Sequence, residues 1–161
     1  MSQIYDFFAN HFPPELAAFI ISMLPLVELR GGIIFSSVVG IPFAEAFVLC
    51  YLGNILPIPF ILLFLRKILT LLERWRLTSR LVRWVEDKGQ RAAKKLGRYD
   101  KLGLFIFVAI PLPGTGGWTG SLVSVLLDLQ IRRAFPTIAL GVLTAGGIMS
   151  FFAYFIPGLF F

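Results

Sequence analysis

Two ionisable side chains, Glu28 and Arg30, stand one residue apart in the stretch Leu24–Gly32, LPLVELRGG, between two apolar runs. At the centre of a membrane helix each such charge costs roughly 3 kcal/mol or more unless it is paired or faces a wet cavity. On a non-helical tip the pair can point into one cavity. Arg30 would then hold a phosphate or another anionic headgroup bidentately. Glu28, held away from water, could take and release a proton. The plainer alternative is that the two neutralise each other or satisfy carbonyls of the tip.

Around them lie further groups able to bind. The pairs Gly31-Gly32 and Gly116-Gly117 are read as opening the second arm of a helical hairpin, with free N–H groups and a positive helix end offered to an anion. Glycine is also what a sharp turn needs. Thr115 and Thr119 add hydroxyl donors, or bond their own helix backbone. Asn54, in the middle of an apolar span, either contacts substrate or hydrogen-bonds across helices. Trp118 reads as packing beside the tip. Gly141, Ala145, Gly146 and Gly147 read as close packing against a hairpin.

The elements that must position these groups follow from hydropathy. The chain has 161 residues, 57% of them hydrophobic, with 15% charged and a formal net charge of +6. Its mean hydropathy is +0.83. A soluble domain carries about a quarter charged residues, so the chain reads as one membrane domain, 1–161. Ile106–Val125 is apolar until Pro111, Pro113, Gly114, Gly116 and Gly117 interrupt it, which no continuous helix carries. The flanking arms, 102–110 and 118–127, are each about 15 Å of helix, half of a ~30 Å hydrocarbon core. A re-entrant hairpin fits those lengths, with bare backbone buried in protein or lining a cavity. The same pattern holds for Leu16–Leu24 and Ile33–Gly40 about the Glu28/Arg30 tip. Ala44–Leu65 and Ala134–Ile156 are long enough to span, the first kinked near Pro57 and Pro59, the second with Pro136 in its first turn. Residues 66–101 hold twelve Lys/Arg against four Asp/Glu and predict a basic amphipathic helix on the membrane surface, able to bind anionic lipid.

The halves resemble each other. Ser22–Leu26 aligns with Val108–Leu112, both tips run into glycine pairs, and both lead to a span with internal glycine, Gly53 or Gly141. The predicted fold is therefore an all-α integral membrane protein of two inverted repeats, 15–65 and 102–157, joined by the basic helix. Each repeat is a re-entrant helical hairpin plus one transmembrane helix, an arrangement found in secondary transporters. Re-entrant hairpins put fourteen of the fifteen Lys/Arg on one side, which the positive-inside rule makes cytoplasmic. The rival, four full spans, puts Arg132 and Arg133 opposite the basic loop.

Several classes are excluded. His11 is the only histidine and Cys50 the only cysteine, so neither a metal site nor a disulfide framework is expected. No serine has a partner in a nucleophile motif, and no phosphate-binding loop or dinucleotide fingerprint is present. No enzyme activity, cofactor or metal is therefore expected. The basic residues are not interleaved with stacking aromatics, so nucleic acid is not an expected partner. The N-terminus lacks the features of a cleaved signal.

Three motifs, ELRGG (Glu28–Gly32), GNILPIPF (Gly53–Phe60) and PLPGTGGWTG (Pro111–Gly120), resemble the small multidrug export protein family of prokaryotes, itself distantly similar to the DedA/VTT superfamily. The resemblance covers roughly residues 15–157. It implies two inverted re-entrant units and, as for some superfamily members, transfer of phospholipid or polyprenyl phosphate between leaflets. Glu28 and Arg30 have no charged counterpart at Thr115–Gly117.

The expected function is a secondary transporter or flippase for an amphipathic anionic substrate in a prokaryotic cell membrane, with proton coupling as an option. The headgroup would sit between the tips, against Glu28, Arg30, Gly31, Gly32, Asn54, Thr115, Gly116, Gly117 and Thr119. Membrane lipids are expected partners, and two spans make a thin wall, so a homo-oligomer, most simply a dimer, is expected. The alternatives are an exporter of cationic drugs, with Glu28 as the binding group, and a non-transporting lipid-organising factor.

Overall fold

The structure, a computed structural model, describes residues 12–73, 100–112, 114–127 and 129–156. Most of the basic helix expected over 66–101 therefore lies outside the described residues, as do residues 1–11 and the tail from Pro157. The described chain is helical throughout: α1 (Pro14–Met23), α2 (Glu28–Val39), α3 (Phe43–Ile55), α4 (Ile58–Glu73), α5 (Asp100–Ala109), α6 (Gly117–Leu126) and α7 (Ile131–Phe155).

Proline and glycine set most of the boundaries. Pro14 opens α1, where its missing N–H is not needed. Leu24 turns extended before Pro25 and ends it. Gly40, left-handed at φ 81° with open space where a Cβ would lie, closes α2. It donates its N–H to Ser36 O, a glycine C-cap. At Leu56–Pro57 the apolar run breaks into α3 and α4, because Pro57 and Pro59 have no N–H to give. Leu56 keeps helical dihedrals, and Phe43–Leu65 remains a 23-residue apolar segment, one of two among the described residues long enough to cross a membrane. The other is α7, 25 residues long. It starts three residues earlier than the sequence predicts, so Pro136 lies inside the helix rather than in its first turn.

The two short-helix pairs pack on the long segments through the same contacts. A Cβ on Gly53 would run into the Phe19 carbonyl, and one on Gly141 into Val108 and the Phe105 carbonyl. A Cβ on Gly32 would overlap Ser22, and one on Gly120 would overlap Val108 at 2.5 Å. Ser36 donates to Gly32 O at 2.8 Å and Ser124 to Gly120 O at 2.7 Å. Ile41 N reaches Ser36 O at 2.9 Å, and Leu129 N reaches Ser124 O at 3.0 Å. Gly32 and Gly120, Ser36 and Ser124, Ile41 and Leu129, Gly53 and Gly141 are each 88 positions apart, whereas the ends of α1 and α5, Met23 and Ala109, are 86 apart. The second tip absorbs the two extra residues.

This register corrects the sequence alignment. Gly31-Gly32 does not match Gly116-Gly117, and it does not open a helix. Both residues lie within α2, where Gly32 is small because α1 approaches it. Glu28-Leu29 stands where Gly116-Gly117 stands. Both positions have positive φ, 54° at Glu28 and 116° at Gly116.

The ends of the long segments are pinned by aromatics and backbone. Tyr154 donates to Ile41 O at 2.9 Å, and Phe43 stacks edge-on against Tyr154 and Phe155 at 5.8 and 6.1 Å. Residues 41–43 therefore sit at the C-terminal end of α7. Ile131 begins that same helix 23 residues earlier, about 35 Å away at 1.5 Å per residue. Outward, Leu52, Phe60, Leu63, Phe64, Leu140, Phe151 and Phe155 are exposed, large apolar side chains of the kind a membrane covers.

Candidate functional site

The two tips meet beside the midpoints of both long segments. Gly117 at the start of α6 lies against Asn54, Ile58 and Val142, and Leu29 in α2 lies against Gly146. Asn54 is the twelfth residue of Phe43–Leu65 and Val142 the twelfth of α7.

Glu28 is held at the first position of α2 with its backbone in the left-handed region. A non-glycine residue there is strained by roughly 1–2 kcal/mol. The conformation brings its buried carboxylate to the second tip, where Oε1 accepts the Trp118 N–H at 3.1 Å. That N–H is one of the free donors of the α6 N-terminus, so the carboxylate caps a helix from the other half of the chain. Gly116 makes room: a Cβ there would overlap the carboxylate. In the reverse direction, Arg30 Nη1 donates to Leu112 O and Nη2 to Thr115 Oγ1 at 2.8 Å. The Thr115 hydroxyl lies 2.8 Å from both Ile110 O and Leu112 O. Pro111 interrupts the chain just beyond α5 and leaves carbonyls without helical partners, and a cation suits that end of a helix. The Trp118 indole closes the junction by donating to Met23 O at 3.2 Å.

Both charged side chains thus spend their hydrogen bonds on the opposite tip rather than on each other. Asn54 differs. It is 1% exposed, and its Oδ1 has no hydrogen-bond partner among the described residues. It does not bridge helices through that oxygen. Instead it faces a cavity of about 10 Å³ bounded by Glu28, Leu29, Arg30, Gly116, Gly117, Val108, Val142 and Ala145, close to the least space that holds one water. As it stands the junction is shut, with no room for a headgroup.

The other candidates fall around this core. Gly31 and Gly32 are buried within α2, away from the second tip's hydrogen bonds. No hydrogen bond of the Thr119 hydroxyl is seen among the described residues, and the side chain is half-buried. The small hydroxyls of the second arms, Ser36, Ser121 and Ser124, donate to carbonyls one turn back, each bonding its own helix backbone. Gly141 and Gly146 pack closely, as read from the sequence, but a Cβ on Gly147 would meet nothing within 4 Å. Trp118 contributes more than packing. Its place among the tip glycines was the available signal, since an indole N–H buried near turning backbone seeks a carbonyl.

Among the described residues no cluster of three metal-ligating side chains occurs. Over residues 28–148 the chain matches the family described as "Putative small multi-drug export protein", and it belongs to that family. With two apolar helices of membrane-crossing length, it is a membrane protein of a transport family. No curated protein and no solved structure matches it.

Proposed function

We propose that this member of the small multidrug export family is a secondary transporter whose pathway is gated at the junction of the two tips. The hairpins α1–α2 and α5–α6 enter the bilayer from opposite faces as inverted repeats. Three observations support that topology. The short helices are about 15–18 Å long, the tips lie beside mid-span residues, and residues 41–43 and 131 lie at opposite ends of α7. The near-constant offset of 88 residues is what a duplicated hairpin-plus-span unit leaves behind. Leu62 and Leu63 line a cavity together with Arg132, so the end of the apolar segment Phe43–Leu65 and the start of α7 share one face. The basic residues then gather on that face, which the positive-inside rule makes cytoplasmic in a prokaryotic cell membrane. A homodimer would thicken the thin wall. The same arrangement is what a resemblance to the DedA/VTT superfamily implies.

The favoured substrate is an amphipathic anion of the phospholipid or polyprenyl phosphate class. One observation carries this: a carboxylate, that of Glu28, already sits on the N–H of the α6 N-terminus beside Arg30. Opening the junction would hand those donors to a headgroup while its tail stays in lipid. The test is exchange of labelled lipid phosphates between leaflets of proteoliposomes. Wild type is expected to exchange them and Arg30→Ala to lose at least about tenfold. Wild-type exchange no faster than empty liposomes would favour a lipid-organising role instead.

A second reading, export of cationic drugs, is favoured by Asn54. Its unpaired carbonyl oxygen beside the Glu28 carboxylate offers acceptors to a cation. Activity that survives Arg30→Ala but not Glu28→Gln would select it.

A further inference from the structure

A second cavity lies one hairpin length from the tips, between α4, the end of α6 and the start of α7. It is a half-open cleft of about 670 Å³, within the range of drug-sized ligand sites, about 300–1,000 Å³. Leu62, Leu63, Val125, Leu129 and Ile131 form its apolar wall, and Gln130 and Arg132 stand at its rim. Arg132 is exposed and makes no hydrogen bond or ion pair among the described residues. The cavity is continuous in sequence and packing with the tip junction. Ile58, one helical turn before Leu62, touches Gly117, and α6 runs from Gly117 to Val125, about 12 Å.

An apolar chamber capped by a guanidinium that has no partner among the described residues, in a chain whose exterior faces lipid, has a matching ligand chemistry. We propose that it is a loading vestibule for an anionic amphiphile, with a phosphate or carboxylate head on Arg132 and Gln130 and an alkyl tail along Leu62, Val125 and Leu129. This rests on the transporter reading above and adds where its substrate is first taken up. The chain's own segment 74–99 is the competing occupant, but it carries nine Lys/Arg against two Asp/Glu and would bring like charge to Arg132.

The test uses the full chain in nanodiscs of zwitterionic phosphatidylcholine, labelled with a long-chain alkyl phosphate bearing a diazirine in its tail. Labelling is expected on the peptides holding Leu62–Leu63 and Val125–Arg132. Dodecyl phosphate should compete, whereas dodecyltrimethylammonium and inorganic phosphate should not. Arg132→Gln, at an exposed position that leaves packing intact, should lower labelling about fivefold, and Val125→Trp, which sets an indole in the path of the tail, should also lower it. Labelling spread evenly over outward residues such as Phe60, Leu140 and Phe151, and indifferent to Arg132→Gln, would overturn the proposal. So would equal competition by the ammonium amphiphile, or a disulfide formed at full yield between Val125→Cys and a cysteine placed in 74–99. Arg30→Ala should leave the labelling intact. Labelling that follows Arg30 rather than Arg132 counts against a separate vestibule, whereas wild-type leaflet exchange no faster than empty liposomes, with labelling retained, counts against the transport reading alone.

Discussion

The Glu28 carboxylate and the Trp118 backbone N–H meet at 3.1 Å across 90 residues of sequence. The contact caps a helix belonging to the other half of the chain and joins the two tips in one bond. A hydrogen bond to an ionised group contributes about 1.5–3 kcal/mol, more than any neutral contact in the junction. Glu28→Ala should therefore destabilise the protein by about 2 kcal/mol, with Glu28→Gln losing roughly half as much. Thermal unfolding in detergent reads this out, and a Glu28→Ala variant as stable as wild type would show that the cap is not made.

Gly116 and Gly147 make a contrasting pair. At Gly116 an alanine would meet both a φ of 116° and the Glu28 carboxylate, so Gly116→Ala should cost about 2 kcal/mol or more. Gly147 lies in α7 with nothing within 4 Å of a new Cβ. There, Gly147→Ala should be neutral or stabilise by up to about 1 kcal/mol through helix propensity. Equal effects in a paired melting experiment would contradict the packing described.

Asn54 separates stability from transport. Its buried Oδ1 makes no hydrogen bond among the described residues, and such an atom costs roughly 1–3 kcal/mol. Asn54→Leu should leave stability unchanged or raise it by about 1 kcal/mol, while transport falls. A substitution that lowers both together would mean the oxygen has a structural partner.

Topology can be read chemically because Cys50, the only cysteine, is fully buried. Ala44→Cys and Gln130→Cys, at exposed positions, should react with a membrane-impermeant maleimide from opposite faces of oriented vesicles. Reaction of both from one face would remove the opposed-hairpin reading.

Much of this was legible in the sequence, and for physical reasons. Pro25, Pro57 and Pro111 lack the N–H that a continuous helix needs, so those breaks appear in the order of the residues, although Pro136 is carried inside α7. Segment lengths against bilayer thickness then separate half-length arms from full spans. Register was not legible. Gly31-Gly32 resembles Gly116-Gly117 in letters, but one pair packs within a helix and the other turns the chain, and only the neighbour each glycine meets distinguishes them. The cross-tip bonds were hidden for a related reason: Leu112 and Met23 take part through backbone carbonyls, which carry no signature of residue type. That Asn54 Oδ1 has no partner among the described residues likewise depends on what surrounds it.

The bonds across the tips, Arg30 to Leu112 and Thr115, Glu28 to Trp118, and Trp118 to Met23, bridge 82 to 95 residues. A ribosome adding about 5–20 residues per second needs about 4 to 19 seconds to supply the second partner of each. In that interval the newly made first half carries an acidic and a basic side chain with no mate, which favours holding it at the insertion machinery rather than releasing it into lipid. Biogenesis should thus be the stage most sensitive to Glu28 and Arg30, before any substrate is met.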